Sequence, residues 1–514
     1  FNDKEVMASI ATGKCDGVFQ LESSGMKNFM KELKPENLED IIAGVALYRP
    51  GPMDFIPKYL KGKNGKSRIA YDCPGLEPIL KTTYGCIVYQ EQVMQIVRDL
   101  AGYTMGRSDL VRRAMSKKKA SVMEKERKNF VYGNPEEGVA GCIANGLDEK
   151  TANQIFDEMI DFARYAFNKS HAACYAVVAV QTAYLKYYYP KEFMAALMTS
   201  VMDNNNKVAE YILSCRQMGI PIQPPDINEG QSGFSVAGEG IRYGLSAIKS
   251  VGRSVVDAII KERENNGPYT SLDDFIERIS GKEVNKRTVE NFIKSGAMDT
   301  LPGNRRQKAM IAPELLEQKN KERKSMMTGQ MSLFDFVGEE EKRRHQIRMP
   351  KVEEFPKEEL LAFEKDILGV YVSGHPLDEY MDLWKSSITA RTTDFMVDEE
   401  SGKAILTDGA QVTVGGMITN KVVKTTKTGK MMAFVTIEDV VGTVEALVFP
   451  RDYETKRDLL IEESKVFVRG RASIGDDTTG KLILEQVIPF DSLPRELWLK
   501  FGDKGEYDQK QKQV

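Results

Sequence analysis

From Leu110 to Lys119 the chain reads LVRRAMSKKK, and five of those ten residues are positively charged. Phosphate oxygens are the natural counterpart of such a run. A guanidinium offers a planar fork that matches two oxygens, and an ammonium acts as a point charge. Arg112, Arg113 and Lys117 are therefore candidates for a triphosphate clamp, on a helix that Leu110, Val111, Ala114 and Met115 would anchor. From Arg107 to Lys128 nine basic residues stand against three acidic ones, although the whole chain, with 72 basic and 75 acidic residues, has a net charge of −3. A solvated helical face gives the same pattern, and the charges alone do not separate the two readings.

Three further stretches carry chemistry-bearing residues. FNKSHAACYA places Lys169 and His171 two residues apart, and His171 reads either as a ligand contact or as a satisfied structural side chain. Around Lys249, Gly252 and Arg253, IRYGLSAIKSVGRSVVDAIIKERE reads as a helix from Ile241, a tight turn with Gly252 at its corner, and a second helix. At such a turn, backbone amides and a helix N-terminus can meet a DNA phosphate, with two cations adding attraction; a plain helical hairpin is the alternative. TGQMSLFDFV sits in polar, charged sequence, so Leu333, Phe334 and Phe336, with Gln330 as polar anchor, suit a peptide that inserts into a partner's groove.

Composition narrows the remaining classes. No apolar run reaches the roughly 20 residues of a membrane-spanning helix, and no signal-peptide pattern opens the chain, so no membrane partner is expected and the location reads as cytoplasmic. Six scattered cysteines without a CxxC pair argue for reduced thiols. The three histidines (His171, His345, His375) lack metal-binding spacing, so no metal site is expected within the chain. Its start at Phe1 reads as that of a fragment.

The elements that must position these residues change character along the chain. Apolar residues recur at three-to-four spacing up to about residue 235, for example in Asn37–Tyr48, Gln90–Tyr103 and Glu149–Phe167. Residues from about 314 to 346 are polar and read as a mobile linker. From 405 to 490 the period becomes two: five candidate strands, with a helix (Arg451–Ser464) after the third, give the order of an OB-fold barrel. Its basic residues (Lys421, Lys424, Lys427, Lys430, Arg469, Arg471) and its few aromatics (Phe434, Phe449, Phe467) fit single-stranded nucleic acid, though OB-folds also bind proteins and sugars. The fold class is thus multidomain: mainly α, then an all-β barrel.

VFQLES, YRPGPM, TYGCIVYQEQVMQI, GRSDLVRRAMSKKK, FNKSHAACYAVVAVQTAYLKYYYP, PPDIN, YGLSAIKSVG and LGVYVSGHPLDEY occur in that order. Together they resemble the bacterial replicative DNA polymerase III alpha subunit of the DnaE type, over essentially all of the chain. The resemblance implies template-directed transfer of deoxynucleotides to a primer 3′ end, with primer–template DNA, dNTP, the sliding clamp and other replisome subunits as partners. It implies fingers at 1–235, a tandem helix-hairpin-helix region at 236–312, a linker with the clamp-binding peptide at 313–346, a helical connector at 347–404, the OB domain at 405–490, and the start of a C-terminal region at 491–514. It adds Arg49 to the nucleotide-site candidates Arg112, Arg113, Lys117, Lys169 and His171, and assigns Gln330, Leu333, Phe334 and Phe336 to the clamp.

The family's catalysis depends on palm aspartates, a DxD pair among them, that hold two Mg²⁺ ions. No DxD occurs in this sequence. No catalytic residue is expected in the chain, and the chain alone is expected to be inactive. Two other readings stand beside this one: a non-catalytic nucleic-acid-binding scaffold, and an error-prone paralogue of the same fold.

Overall fold

The structure, a computed structural model, describes residues 1–49, 51–65, 69–116, 120–163, 167–279, 284–327, 348–395, 397–398, 403–426, 428–474 and 480–492. The chain divides into two compact units, one beginning at Phe1 and ending at Gly374, the other running from His375 through the barrel.

In the first unit, helix α1 (Leu38–Leu47) is capped by Asn37, whose Oδ1 accepts from Asp40 N at 3.1 Å, and it is buried from Asp40 to its end. From Asp40 to Leu47 it packs on the 20-residue helix α4 (Lys169–Tyr188), which Asn168 caps in the same way. Buried Ala172, Ala176, Ala179 and Ala183 follow helical spacing on the packed face of α4, and their small side chains let the two backbones approach. Helices α2 (Gln90–Ala101) and α3 (Met105–Ser116) contribute Val93, Ile96, Val97, Leu100 and Val111 to a second apolar cluster around Phe130 and Phe156. At the start of α2, buried Gln92 accepts from the backbone N–H of Val88 and Tyr89 (2.8 and 2.9 Å), fixing the entry of the chain. Within α3, Val111 is buried but Leu110 is 58% exposed, so Leu110 does not anchor the helix as its apolar character suggested.

The third cluster follows a three-stranded sheet of β1 (Ile222–Gln223), β2 (Ser235–Ala237) and β3 (Gly240–Arg242). The helix expected from Ile241 is absent: Ile241 pairs with Ile222 on one side and Val236 on the other, and Leu245–Ala247 forms a single 3-10 turn. Ser250, not Gly252, takes the left-handed conformation at the corner (φ 61°). Gly252 is extended (φ −74°, ψ 144°) and precedes α5 (Arg253–Asn266). Helix α6 (Lys286–Lys294) follows, then α7 (Arg305–Met327) and α8 (Lys357–Leu368). Helix α7 carries the chain well into the stretch expected as a linker, because Leu315 and Leu316 are buried and the residues after them are strong helix formers.

The second unit is the predicted barrel, with β4 (Gln411–Thr425), β5 (Met431–Glu438), β6 (Thr443–Val448), β7 (Lys465–Ser473) and β8 (Lys481–Pro489) closed in the order β8-β6-β5-β4-β7. All pairs are antiparallel except β8 with β6 (Leu482 opposite Ala446). Alternate residues Ala433, Val435 and Ile437 fill the interior. The helix after β6 is shorter than expected, Pro450–Lys456, because Leu460 is drawn into the core and Glu463 N–H binds Ile418 O at 2.7 Å, returning the chain to the sheet.

Candidate phosphate-binding site

Four of the residues singled out from sequence gather at one β-bridge. Tyr89 and Phe167, far apart in the chain, pair in parallel just before α2 and α4, and Gln90 N–H donates to Phe167 O at 2.9 Å. The bridge aligns the beginnings of the two helices, and Glu91 then accepts from Lys169 N–H through both carboxylate oxygens (3.2 and 3.0 Å).

Around this bridge the Arg49 guanidinium lies 4.4 Å from the Phe167 ring centroid, within cation–π range. His171 is exposed at the surface, its ring edge-on to Phe167 (5.2 Å) and tilted against Tyr175 (4.5 Å). Lys169 Nζ binds Glu39 at 2.9 Å and lies 5.3 Å from the Tyr89 ring centroid. Among the described residues the Tyr89 hydroxyl is buried without a hydrogen-bond partner, and burial raises its pKa. Arg112 reaches the bridge through Gln90, whose Oε1 accepts from Nη1 at 2.9 Å. Arg113 projects from the same helix, 61% exposed.

The arrangement gathers guanidinium and ammonium groups, an exposed imidazole and aromatic ring faces within a single region. Such a region can hold a polyanion and place a ring-bearing group beside it. Lys117 lies outside the described residues. Phe167, Gln90, Glu91 and Asp109 hold the site together, and sequence reading passed over them. Only Asp109 left a local signal, its spacing of three and four from Arg112 and Arg113.

Lys249, Gly252 and Arg253 stand elsewhere in the first unit. Lys249 Nζ binds Asp366 at 2.6 Å, and Lys249 O accepts from Asn291 Nδ2. A groove of about 500 Å³ is lined by Lys249, Lys286, Arg287 and Lys294, with Glu290 and Asp366 opposing them. Arg253 is the exposed first residue of α5. On the barrel, Lys424 Nζ lies 4.8 Å from the Phe434 ring centroid. Phe467, one of the three aromatics considered for base stacking, is 1% exposed and stacked on Phe490 at 4.1 Å, so the core removes it from that role. Gln330, Leu333, Phe334 and Phe336 lie outside the described residues. Among the described residues, no group of three His, Cys, Asp or Glu is placed to hold a metal ion, and no helix is long and apolar enough to cross a membrane.

Three family models match successive parts of the chain. The model of the bacterial DNA polymerase III alpha subunit finger domain matches residues 1–138, a helix-hairpin-helix motif matches 219–308, and an OB-fold nucleic acid binding domain matches 412–489. The chain is 39% identical over 498 residues to the DNA polymerase III subunit alpha of Borreliella burgdorferi, covering 96% of the chain and 42% of that relative. It is 42% identical over 484 residues to the Thermus aquaticus protein of the same name, covering 93% and 38%. With that of Bacillus subtilis it shares 38% identity over 477 residues, covering 93% and 41%. The chain spans about two-fifths of the length of these relatives. With its finger-domain match, its helix-hairpin-helix and its closed five-stranded barrel, the chain belongs to the family of bacterial DNA polymerase III alpha subunits.

Proposed function

We propose that this chain is the nucleotide- and DNA-holding part of a replicative DNA polymerase. The observation that carries the reading is the convergence of Arg49, Arg112, Lys169 and His171 on the Tyr89–Phe167 bridge. In this reading the two arginines take phosphate oxygens of an incoming dNTP, while His171 and Tyr175 flank its sugar and base. A triphosphate buried among guanidiniums is held in place electrostatically, and that positioning is most of what a protein supplies to phosphoryl transfer. In this reading the divalent metal that the chemistry uses, Mg²⁺, sits on palm aspartates of the family's DxD type, a pattern this sequence does not contain. The groove beside Lys249 and the barrel face around Lys424 would follow the DNA backbone without reading its sequence.

The chain alone is expected to bind a primer–template and a dNTP without extending the primer when Mg²⁺ is added. A gel-based primer-extension assay checks this, and metal-dependent synthesis by these 514 residues would place catalytic carboxylates within them. The sliding clamp is the proposed partner of the segment around Gln330. Exchanging Leu333 and Phe334 for alanine should cut retention on an immobilised clamp at least about tenfold, because buried apolar anchors dominate peptide-in-groove binding. DNA affinity should stay unchanged in the same variant, and equal clamp retention by variant and parent would remove this segment from the interface.

A further inference from the structure

One carboxylate already engages two adjacent arginines, Arg112 of the proposed nucleotide site and its neighbour Arg113. Asp109 lies one turn before them on α3. Its Oδ1 accepts from Arg112 Nε and Nη2 (2.9 and 2.7 Å), and its Oδ2 faces Arg113 Nη2 at 2.7 Å. Gln90 on α2 accepts from the remaining arm of Arg112.

Intrahelical ion pairs on exposed helix faces are common and individually weak, and one such pair would carry no message. Here a single carboxylate serves two adjacent guanidiniums, one with each oxygen, and a contact from another helix fixes the orientation of one of them. Two oxygens on one central atom, each carrying part of a negative charge, are also what a phosphate group offers to an arginine fork. The two guanidiniums are thus held in a geometry suited to a shared oxyanion, with Asp109 as its occupant. All three side chains are at least a quarter exposed, so an external anion has access to them.

We infer that Asp109 is an internal stand-in for phosphate: it keeps Arg112 and Arg113 aligned before a nucleotide arrives and yields them to the incoming triphosphate. It is a positioning residue that competes with the ligand it prepares for. The competition sets a threshold: a single tetrahedral dianion such as sulfate does not displace the carboxylate from both guanidiniums, while a triphosphate, with its higher charge and more numerous oxygens, does. The inference rests on the nucleotide reading of this site.

The test is calorimetric titration of the whole chain with inorganic tripolyphosphate, and separately with sulfate, at low salt. Asp109→Asn keeps the shape and one acceptor oxygen but removes the charge. Tripolyphosphate affinity should rise about fivefold, a size typical of one partly exposed charge pair, and sulfate binding should become measurable. Asp109→Glu, which retains the charge, should behave as the parent. The Asn exchange should have no effect in a background with Arg112→Ala and Arg113→Ala.

Unchanged or weaker tripolyphosphate binding by Asp109→Asn overturns the inference, as does a gain that persists without the arginines, which would be a general charge effect. Asp109→Ser supplies the same comparison if the Asn variant does not fold. If Arg112→Ala/Arg113→Ala binds tripolyphosphate as tightly as the parent, the nucleotide reading itself falls. If that variant loses binding while Asp109→Asn gains none, only the stand-in role falls.

Discussion

Replacing Arg112 and Arg113 together by alanine is expected to weaken the affinity of the chain for a deoxynucleoside triphosphate by about 100-fold. Hydrogen bonds to charged groups contribute roughly 1.5–3 kcal/mol each, and every 1.4 kcal/mol is a factor of ten in binding. The two positions differ in expected weight. Arg112 is held by Asp109 and Gln90 and is 25% exposed, so little side-chain freedom remains to be lost when a ligand arrives. Arg113 is 61% exposed, and its contribution is reduced by solvent and salt. Most of the loss should therefore appear in Arg112→Ala alone. Arg112→Lys keeps the charge but not the fork, and should fall between that variant and the parent. Titration of a fluorescent dATP analogue, followed by anisotropy, measures all of these. If the double variant keeps the parent affinity, the basic run is a solvated face and the triphosphate lies elsewhere.

The second large effect is on stability. Glu364 of α8 is fully buried, and its Oε2 accepts from Val372 N–H and Ser373 N–H, both at 2.9 Å. Its other oxygen faces Arg305 of α7 at 3.5 Å, and Arg305 is bound in turn by Asp299 at 2.7–3.1 Å. A buried carboxylate is tolerated here because two backbone N–H groups and a guanidinium face its oxygens. Glu364→Ala takes the shared acceptor from the Val372 and Ser373 amides and leaves Arg305 with its Asp299 and Lys294 O contacts, at a cost of about 3 kcal/mol. Glu364→Gln retains one oxygen for the amides and should cost less than half of that. The thermal transition of the first unit measures the global effect, and hydrogen exchange at Val372 and Ser373 measures the local one. Parent-like exchange at those amides in Glu364→Ala would show that their protection comes from elsewhere.

The amino-acid sequence by itself determined the barrel, the helical character of what precedes it and the family. A period of two alternates sides of a sheet wherever that sheet lies, so Ala433, Val435 and Ile437 announce an inward face without knowledge of their partners. The helices starting at Leu38, Gln90 and Glu149 were likewise legible, since three-to-four spacing is local. Failures came where a distant strand or core residue outbid local preference. Ile241 sits in a run with helical periodicity, yet its backbone pairs with Ile222 and Val236. The helix after β6 stops at Lys456 because Leu460 is needed inside the barrel.

The site divides along the same line. Residue type alone marked Arg112, Arg113, Lys169 and His171, because few side chains bind phosphate. Only the tertiary structure decided that Arg49, Arg112, Lys169 and His171 meet at a bridge between Tyr89 and Phe167, that Gln90 and Glu91 tie them to it, and that Asp109 already occupies the two guanidiniums. The physical reason is range. Charge and periodicity are properties of neighbours in the chain, whereas a hydrogen bond from Lys169 to Glu91 across 78 residues exists only once the chain has folded.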